Sequence, residues 1–386
     1  MSFPPPDPMA LPLSRRHFLG LSACSLATAG LAPLLGAGGQ ARAQQLPPTV
    51  PGMDAADAVL LNYNENPLGP FPEAREAALA AMGRANRYLF GLQREFTALF
   101  AAQNGLGEDQ VAGCCGSGVA LDGAALAFCS PQAGLVTADP TFESLAQMAG
   151  AHGAPVRRVP LRADGAHDVQ AMAQAAAETR AGLVYVCNPN NPTGSITPRA
   201  EIDWLLAHKP AGSVLLIDEA YIHYSDEPDT LDLVRAGADA IVLRTFSKIY
   251  GMAGLRLGLA AARPDLLRKL LLAGANSLPV PSVAAGIASL EHPGHLAARK
   301  AGNTRLREAT VAWLAARGHA CLPSQANCFM VDVKGDGRAF TAAMARHRVF
   351  VGRSWPAWPN HVRITVGTEA EMARFREAFA QVVAGA

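Results

Sequence analysis

LRTFSKIYGMAGLRLG, residues 243–258, carries the densest chemistry in the 386-residue chain. Lys248 follows Ser247, and Arg256 comes after a turn punctuated by Gly251 and Gly254, with Gly258 just beyond. A protonated amine is a poor nucleophile, so carbonyl chemistry by a lysine needs desolvation or neighbouring cations. Ser247 and Arg256 offer a hydroxyl and a planar fork of donors, which suit a phosphate dianion. Alone, the stretch reads equally well as a loop lysine with solvated neighbours. Three further segments shift that balance.

VYVCNPNNPTG (184–194) is an apolar, β-branched run ending in a loop of Asn, Pro and Gly, where Asn191 sits between two prolines and can aim an amide. SVLLIDEAYIHY (213–224) is a buried strand closing on Asp218, Glu219, Ala220 and Tyr221. A carboxylate there suits a pyridinium nitrogen; the alternatives, a metal ligand or a helix N-cap, are weaker given its neighbours. CCGSGVALDGAALAF (114–128) is a glycine-rich turn leading into a helical run, whose free N–H groups form a phosphate cradle. A plain helix start is the bland reading of that turn.

In this order the four segments resemble the fold-type I pyridoxal-phosphate enzymes, and more narrowly the histidinol-phosphate aminotransferase family. The resemblance runs from LNYNENPLGPFPEA (61–74) to VRITVGTEAEMARF (362–375) and takes in NRY (86–88), DPTFESL (139–145), DEAY, RTFSK and GLRLG. It implies an α/β fold with a large, mostly parallel-sheet domain and a small α+β domain. It also implies pyridoxal 5′-phosphate as cofactor, with amino-acid and 2-oxo-acid substrates exchanged in a ping-pong mechanism.

Position by position, the resemblance makes Lys248 the Schiff-base lysine and proton shuttle. Asp218 becomes the partner of the pyridine nitrogen, and Asn191 and Tyr221 the donors to the ring oxygen. Phe142 would stack on the ring. Gly116, Ser117, Gly118, Ser247 and Arg256 would hold the phosphate, with Thr245 either nearby or simply a strand residue. Tyr88 matches a tyrosine that reaches the phosphate from a neighbouring subunit, which implies a homodimer. Arg363 matches the arginine that grips the substrate α-carboxylate, and Asn66 and Asn327 fall near the substrate entrance. A decarboxylase or lyase using the same lysine is the alternative within the cofactor class; a catalytically idle binding protein is the alternative outside it.

Some residues depart from the family pattern. PPTVPGMDAADAV (47–59) lacks the tyrosine that members acting on histidinol phosphate carry there, and Gly118 and Val119 replace an acidic pair in the cradle. Arg353 falls within a residue of the place of the second arginine associated with the substrate's phosphate. These departures favour an amino acid over histidinol phosphate as substrate.

The N-terminus reads SRRHFLG (14–20), then an Ala/Gly-rich stretch and ARA at 41–43. This resembles a twin-arginine leader cleaved after Ala43, implying the twin-arginine export machinery as partner and a periplasmic or secreted enzyme. Glycines and prolines interrupt the run, so no stable membrane anchor is expected. Residues 1–43 hold three of the 33 basic and one of the 32 acidic residues, so their removal turns the formal charge from +1 to −1. Nothing in that balance suggests nucleic-acid binding. Of the seven cysteines, six follow position 43; their spacing fits no metal site, and disulfide pairing stays open.

Strand-like runs at 134–138, 183–187, 213–217, 240–244 and 256–261 alternate with alanine-rich helical stretches, which predicts a mostly parallel sheet covered on both faces. The expected organisation is the leader (1–43), an N-terminal segment joining the small domain (44–85), the large domain (86–280) and the small domain (281–386).

Overall fold

The side chains of the central strands alternate between two buried layers, which is why their sequences read as continuous apolar runs. The computed structural model describes residues 51–272 and 277–385; the expected leader lies outside them. Seven strands build the main sheet: β2 (Val111–Cys114), β3 (Leu135–Asp139), β4 (Val156–Pro160), β5 (Leu183–Cys187), β6 (Val214–Asp218), β7 (Ala240–Thr245) and β8 (Gly258–Ala262), in the order β2-β8-β7-β6-β5-β3-β4. β8 alone runs opposite to the other six strands, pairing antiparallel with β2 and β7. Val184, Val186, Leu215, Ile217 and Val242 face one core, while Leu183, Tyr185, Val214, Leu216 and Ile241 face the other.

Helices cover both faces. The helix Ser117–Phe128 lies in the second core, and Val169–Glu178, capped by the Asp168 side chain accepting from the Ala171 amide at 3.0 Å, lies in the first. β8 begins two residues later than the sequence pattern predicts, because Arg256 takes a left-handed backbone (φ 54°) that ends the preceding turn.

A third core lies over two small sheets. In one, β1 (Val59–Leu61) pairs in parallel with β10 (Val349–Val351); in the other, β9 (Cys328–Asp332) pairs antiparallel with β11 (His361–Thr365). The helix Glu369–Ala384 packs onto them, started by a reciprocal capping box between Thr368 and Glu371.

The expected boundary at 280/281 does not match these cores. It falls at the start of the helix Val280–Glu291, whose Val283, Ala285, Ile287 and Leu290 bury in the first core of the main sheet. The prolines there open that helix rather than separate two regions. The 44–85 segment likewise divides: Val59 and Leu61 join the third core, Phe71 and Ala74 the first.

Candidate active site

The carboxyl ends of β5, β6 and β7 open onto a cavity of about 330 Å³. Ligands of open α/β sheets bind at such ends. Ser117, Gly118, Phe142, Asn191, Asp218, Tyr221, Thr245, Ser247, Lys248, Arg256 and Arg363 all line it, so eleven positions singled out from the sequence converge on one space.

Lys248 follows β7 and is half-buried, with its Nζ donating to the Tyr63 carbonyl at 3.1 Å and lying 5.7 Å from the Tyr221 ring centre. Desolvation, reinforced by the Arg363 charge, pulls its amine down to about 8. At neutral pH a meaningful fraction is therefore unprotonated and nucleophilic.

Asp218 ends β6 fully enclosed. Burial pushes its carboxyl up to about 6, against the hydrogen bonds it accepts from the Tyr185 hydroxyl and the Ala220 amide, both at 3.1 Å. A cation against this carboxylate would return it to the ionised form.

The phosphate cradle is shaped by backbone. Gly116, at φ 81°, caps the helix Ser117–Phe128, and a Cβ there would come within 2.3 Å of Arg256 Nη2. Only glycine lets the guanidinium approach the helix N-terminus. Arg256 Nη1 donates to Ser247 Oγ at 3.3 Å, and Thr245 Oγ1 donates to the same hydroxyl at 3.0 Å. A guanidinium, two hydroxyls and the free amides of a helix start form an anion site.

Arg363, on β11, crosses from the small sheets into the cavity. Its Nη1 donates to Asn191 Oδ1 at 2.7 Å and its Nη2 to the Asn62 carbonyl, while its buried Nε has no hydrogen-bond partner among the described residues. The guanidinium lines the cavity, where its planar fork suits a carboxylate.

Three expected positions lie elsewhere. Asn66 bonds the Ile249 carbonyl at 3.0 Å and the Tyr224 hydroxyl at 3.4 Å; it lines a neighbouring cavity of about 240 Å³ rather than the one holding Lys248. Asn327 borders the same neighbour, donating to the carbonyls of Asn64 and Glu65. Asn327 thus satisfies two adjacent carbonyls of the segment before the site, and Asn66 ties that segment to the residue after Lys248. Tyr88 is 70% exposed, stacks on Phe90 at 5.5 Å and does not line the cavity of its own chain.

Other residues emerge from the geometry. Asn64, with a left-handed backbone (φ 54°), donates to the Tyr221 hydroxyl at 3.1 Å and to Cys328 Sγ at 3.2 Å. Tyr185 braces Asp218 from within the sheet. Its signal was a lone phenol in an aliphatic run, whose polar tip needs a buried partner.

This arrangement suits lysine–carbonyl chemistry beside an anion cradle. The model for aminotransferase class I and II matches residues 56–379, and the chain belongs to that family of pyridoxal-phosphate-dependent enzymes. It is 35% identical to the aromatic amino acid aminotransferase of Rhodococcus jostii (strain RHA1), covering 86% of this chain and 92% of that protein. It is also 35% identical to the histidinol-phosphate aminotransferase of Symbiobacterium thermophilum, covering 87% and 96%. The crystal structure of histidinol-phosphate aminotransferase from Sinorhizobium meliloti in complex with pyridoxal-5′-phosphate superposes with a TM-score of 0.78 at 25% identity, covering 84% of this chain and 90% of that one.

Proposed function

We propose that this enzyme transfers an amino group between an α-amino acid, rather than histidinol phosphate, and a 2-oxo acid, in a ping-pong sequence. The observation that carries the reading is that Lys248, Asp218 and the Arg363 fork face one cavity from three separate elements.

The cofactor fits this chain's residues: an enclosed carboxylate wanting a cation, a depressed amine, and a glycine-built anion cradle. When bound, pyridoxal phosphate supplies the aldehyde that captures the amino group and the ring that draws off electron density. Asp218 would hold the ring nitrogen protonated. Gly116, Ser117, Gly118, Thr245, Ser247 and Arg256 would hold the phosphate, and Asn191 and Tyr221 the ring oxygen, with Phe142 against its face. Arg363 binds the substrate carboxylate and so orients the Cα–H bond toward Lys248. The Lys248 amine would take the proton from that Cα and return it to the cofactor's aldehyde carbon, on the far side of the amino nitrogen. General acid–base transfer by a positioned group contributes about 10²–10⁴-fold.

The reading extends to assembly and location. Tyr88, exposed on its own chain, would reach the phosphate of a second copy, making the working unit a homodimer. The RR-containing segment at 14–20 supports export through the twin-arginine route to the periplasm or beyond.

The test is to add single amino acids to the loaded enzyme without an acceptor and assay for pyridoxamine phosphate and the matching 2-oxo acid. A donor panel against 2-oxoglutarate and pyruvate then ranks substrates. Carbon dioxide release, or ammonia with pyruvate, would instead mark a decarboxylase or lyase. For export, replacing Arg15 and Arg16 by lysine should retain the enzyme in the cytoplasm; unchanged fractionation would defeat that part.

A further inference from the structure

Arg363 lines the cavity, and a second guanidinium stands close beside it. Arg353, just beyond β10, lies beside it: the Arg363 amide donates to the Arg353 carbonyl at 3.3 Å, and the Gly352 amide to the Arg363 carbonyl at 2.8 Å. Both guanidinium groups lean on Trp355, with their Cζ atoms 4.2 Å (Arg353) and 5.5 Å (Arg363) from its ring centre. Trp355 is only 4% exposed, so the two charges share a rigid aromatic wall. Arg363 faces the cavity, whereas Arg353 sits further out.

Two fixed arginines would ordinarily select a doubly anionic substrate, one arginine for each end. Here the outer one is already occupied. Arg353 Nη2 donates to Glu143 Oε2, and Glu143 directly follows Phe142, which lines the cavity. The ion pair thus links the segment after β3 to the segment after β10. Its side chains are 53% and 38% exposed, so it is weak enough to be exchanged yet present by default.

We propose that Glu143 is a specificity-determining residue: by cancelling Arg353, it turns the site toward amino acids and 2-oxo acids with uncharged side chains. A substrate carrying a second anion must displace the Glu143 carboxylate and lie against it, which is discrimination by a built-in repulsion. The inference rests on the transaminase reading for its meaning, but its test does not require turnover.

The test measures binding of succinate and butyrate to the cofactor-loaded enzyme, by calorimetry or by the change in cofactor absorbance. Both probes offer Arg363 a carboxylate; only succinate offers a second. Glu143→Gln should shift the affinity ratio toward succinate by about tenfold, equivalent to about 1.4 kcal/mol. In the double variant Glu143→Gln/Arg353→Gln the ratio should return to the wild-type value. An unchanged ratio in the single variant overturns the proposal, as does a ratio that stays raised in the double variant. Neither probe reacts, so a ratio shift in an enzyme that transfers no amino group would sink the transaminase reading and leave the role of Glu143 standing.

Discussion

Arg363 Nη1 donates to the side-chain oxygen of Asn191 at 2.7 Å, joining the residue that would read the substrate carboxylate to one that would read the cofactor ring. The two come from different elements, β11 and the loop after β5, so the bond would align substrate with cofactor across the cavity. Lysine keeps the charge at 363 but loses the fork. Arg363→Lys should raise KM for the amino donor by about 10- to 100-fold, the scale of a bidentate carboxylate contact. Cofactor affinity should hold, because Arg363 does not touch the phosphate cradle. A double-mutant cycle with Asn191→Ala should give a coupling of about 0.5–3 kcal/mol; additive effects would mean that the bond is idle.

Lysine desolvation predicts a pH dependence. The Lys248 amine is pulled from 10.5 down to about 8, and only its unprotonated form attacks an aldehyde. Capture of pyridoxal phosphate by cofactor-free protein should therefore accelerate as pH rises and level off above about 8, followed by absorbance after rapid mixing. A rate still climbing toward pH 10 would describe an ordinary solvated lysine. The same shift has a stability consequence with a definite sign. Between about 8 and 10.5 the unfolded chain holds a proton on this amine that the folded chain does not, so the cofactor-free fold gains stability with pH across that window.

Asn64 separates backbone from side-chain contributions. Its left-handed φ of 54° favours glycine or asparagine, and its amide serves Tyr221 while its Oδ1 accepts from Thr365 Oγ1 at 3.1 Å. Asn64→Ala should cost about 2–4 kcal/mol, combining backbone strain with lost buried hydrogen bonds. Asn64→Gly keeps the conformation and should recover about 1 kcal/mol of that. In both variants the Tyr221 hydroxyl, already raised by burial, moves further up because its Asn64 donor is gone. Urea unfolding of the two variants checks the difference, and equal losses would refute the backbone part.

The main sheet was legible because each central strand is apolar on both faces and closes on polar residues where the chain leaves the sheet. Asp218, Lys248 and Asn191 could be placed at strand ends for that reason alone. Arg363 was legible only through its resemblance to a motif, since its partner Asn191 is 172 positions away and no local pattern links them. The same distance hid Asn64, whose partners Tyr221 and Thr365 lie on other elements. Pro279 and Pro281 misled for a physical reason: proline marks both chain breaks and first helical turns, and only packing onto the main core distinguishes the two. Asn66 and Asn327 misled similarly, because a conspicuous amide near a site can serve the loop that shapes it.

Behind Asp218 lies a buried ionic cluster that sequence spacing does not reveal, and it carries the last prediction. Arg244, on β7, approaches Glu219 at 2.8 Å and Asp229 at 3.1 Å, and Glu219 also accepts from the Thr230 amide and hydroxyl at 2.8 and 2.9 Å. The Arg244–Glu219 contact is close but poorly aligned: Arg244 Nη2 and Glu219 Oε2 satisfy no hydrogen-bond geometry, so its strength is Coulombic. The neighbouring His223 is held neutral, its imidazole driven down to about 3 by burial and by Arg244. Glu219 is the residue after Asp218, so this cluster anchors the backbone carrying the proposed ring-nitrogen partner. Arg244→Met leaves a buried carboxylate without its counter-charge and should cost about 3–5 kcal/mol near neutral pH. Burial already raises the Glu219 carboxyl, and removing Arg244 raises it further. A raised folded value means that the folded chain binds the extra proton, so the variant's deficit should shrink on acidification, while Glu219 is still ionised in the unfolded chain. Pairing the change with Glu219→Gln should recover part of the loss at neutral pH. Urea denaturation at pH 5 and pH 8 reads both effects, and an equal deficit at the two values would show that packing, not charge, is what Arg244 contributes.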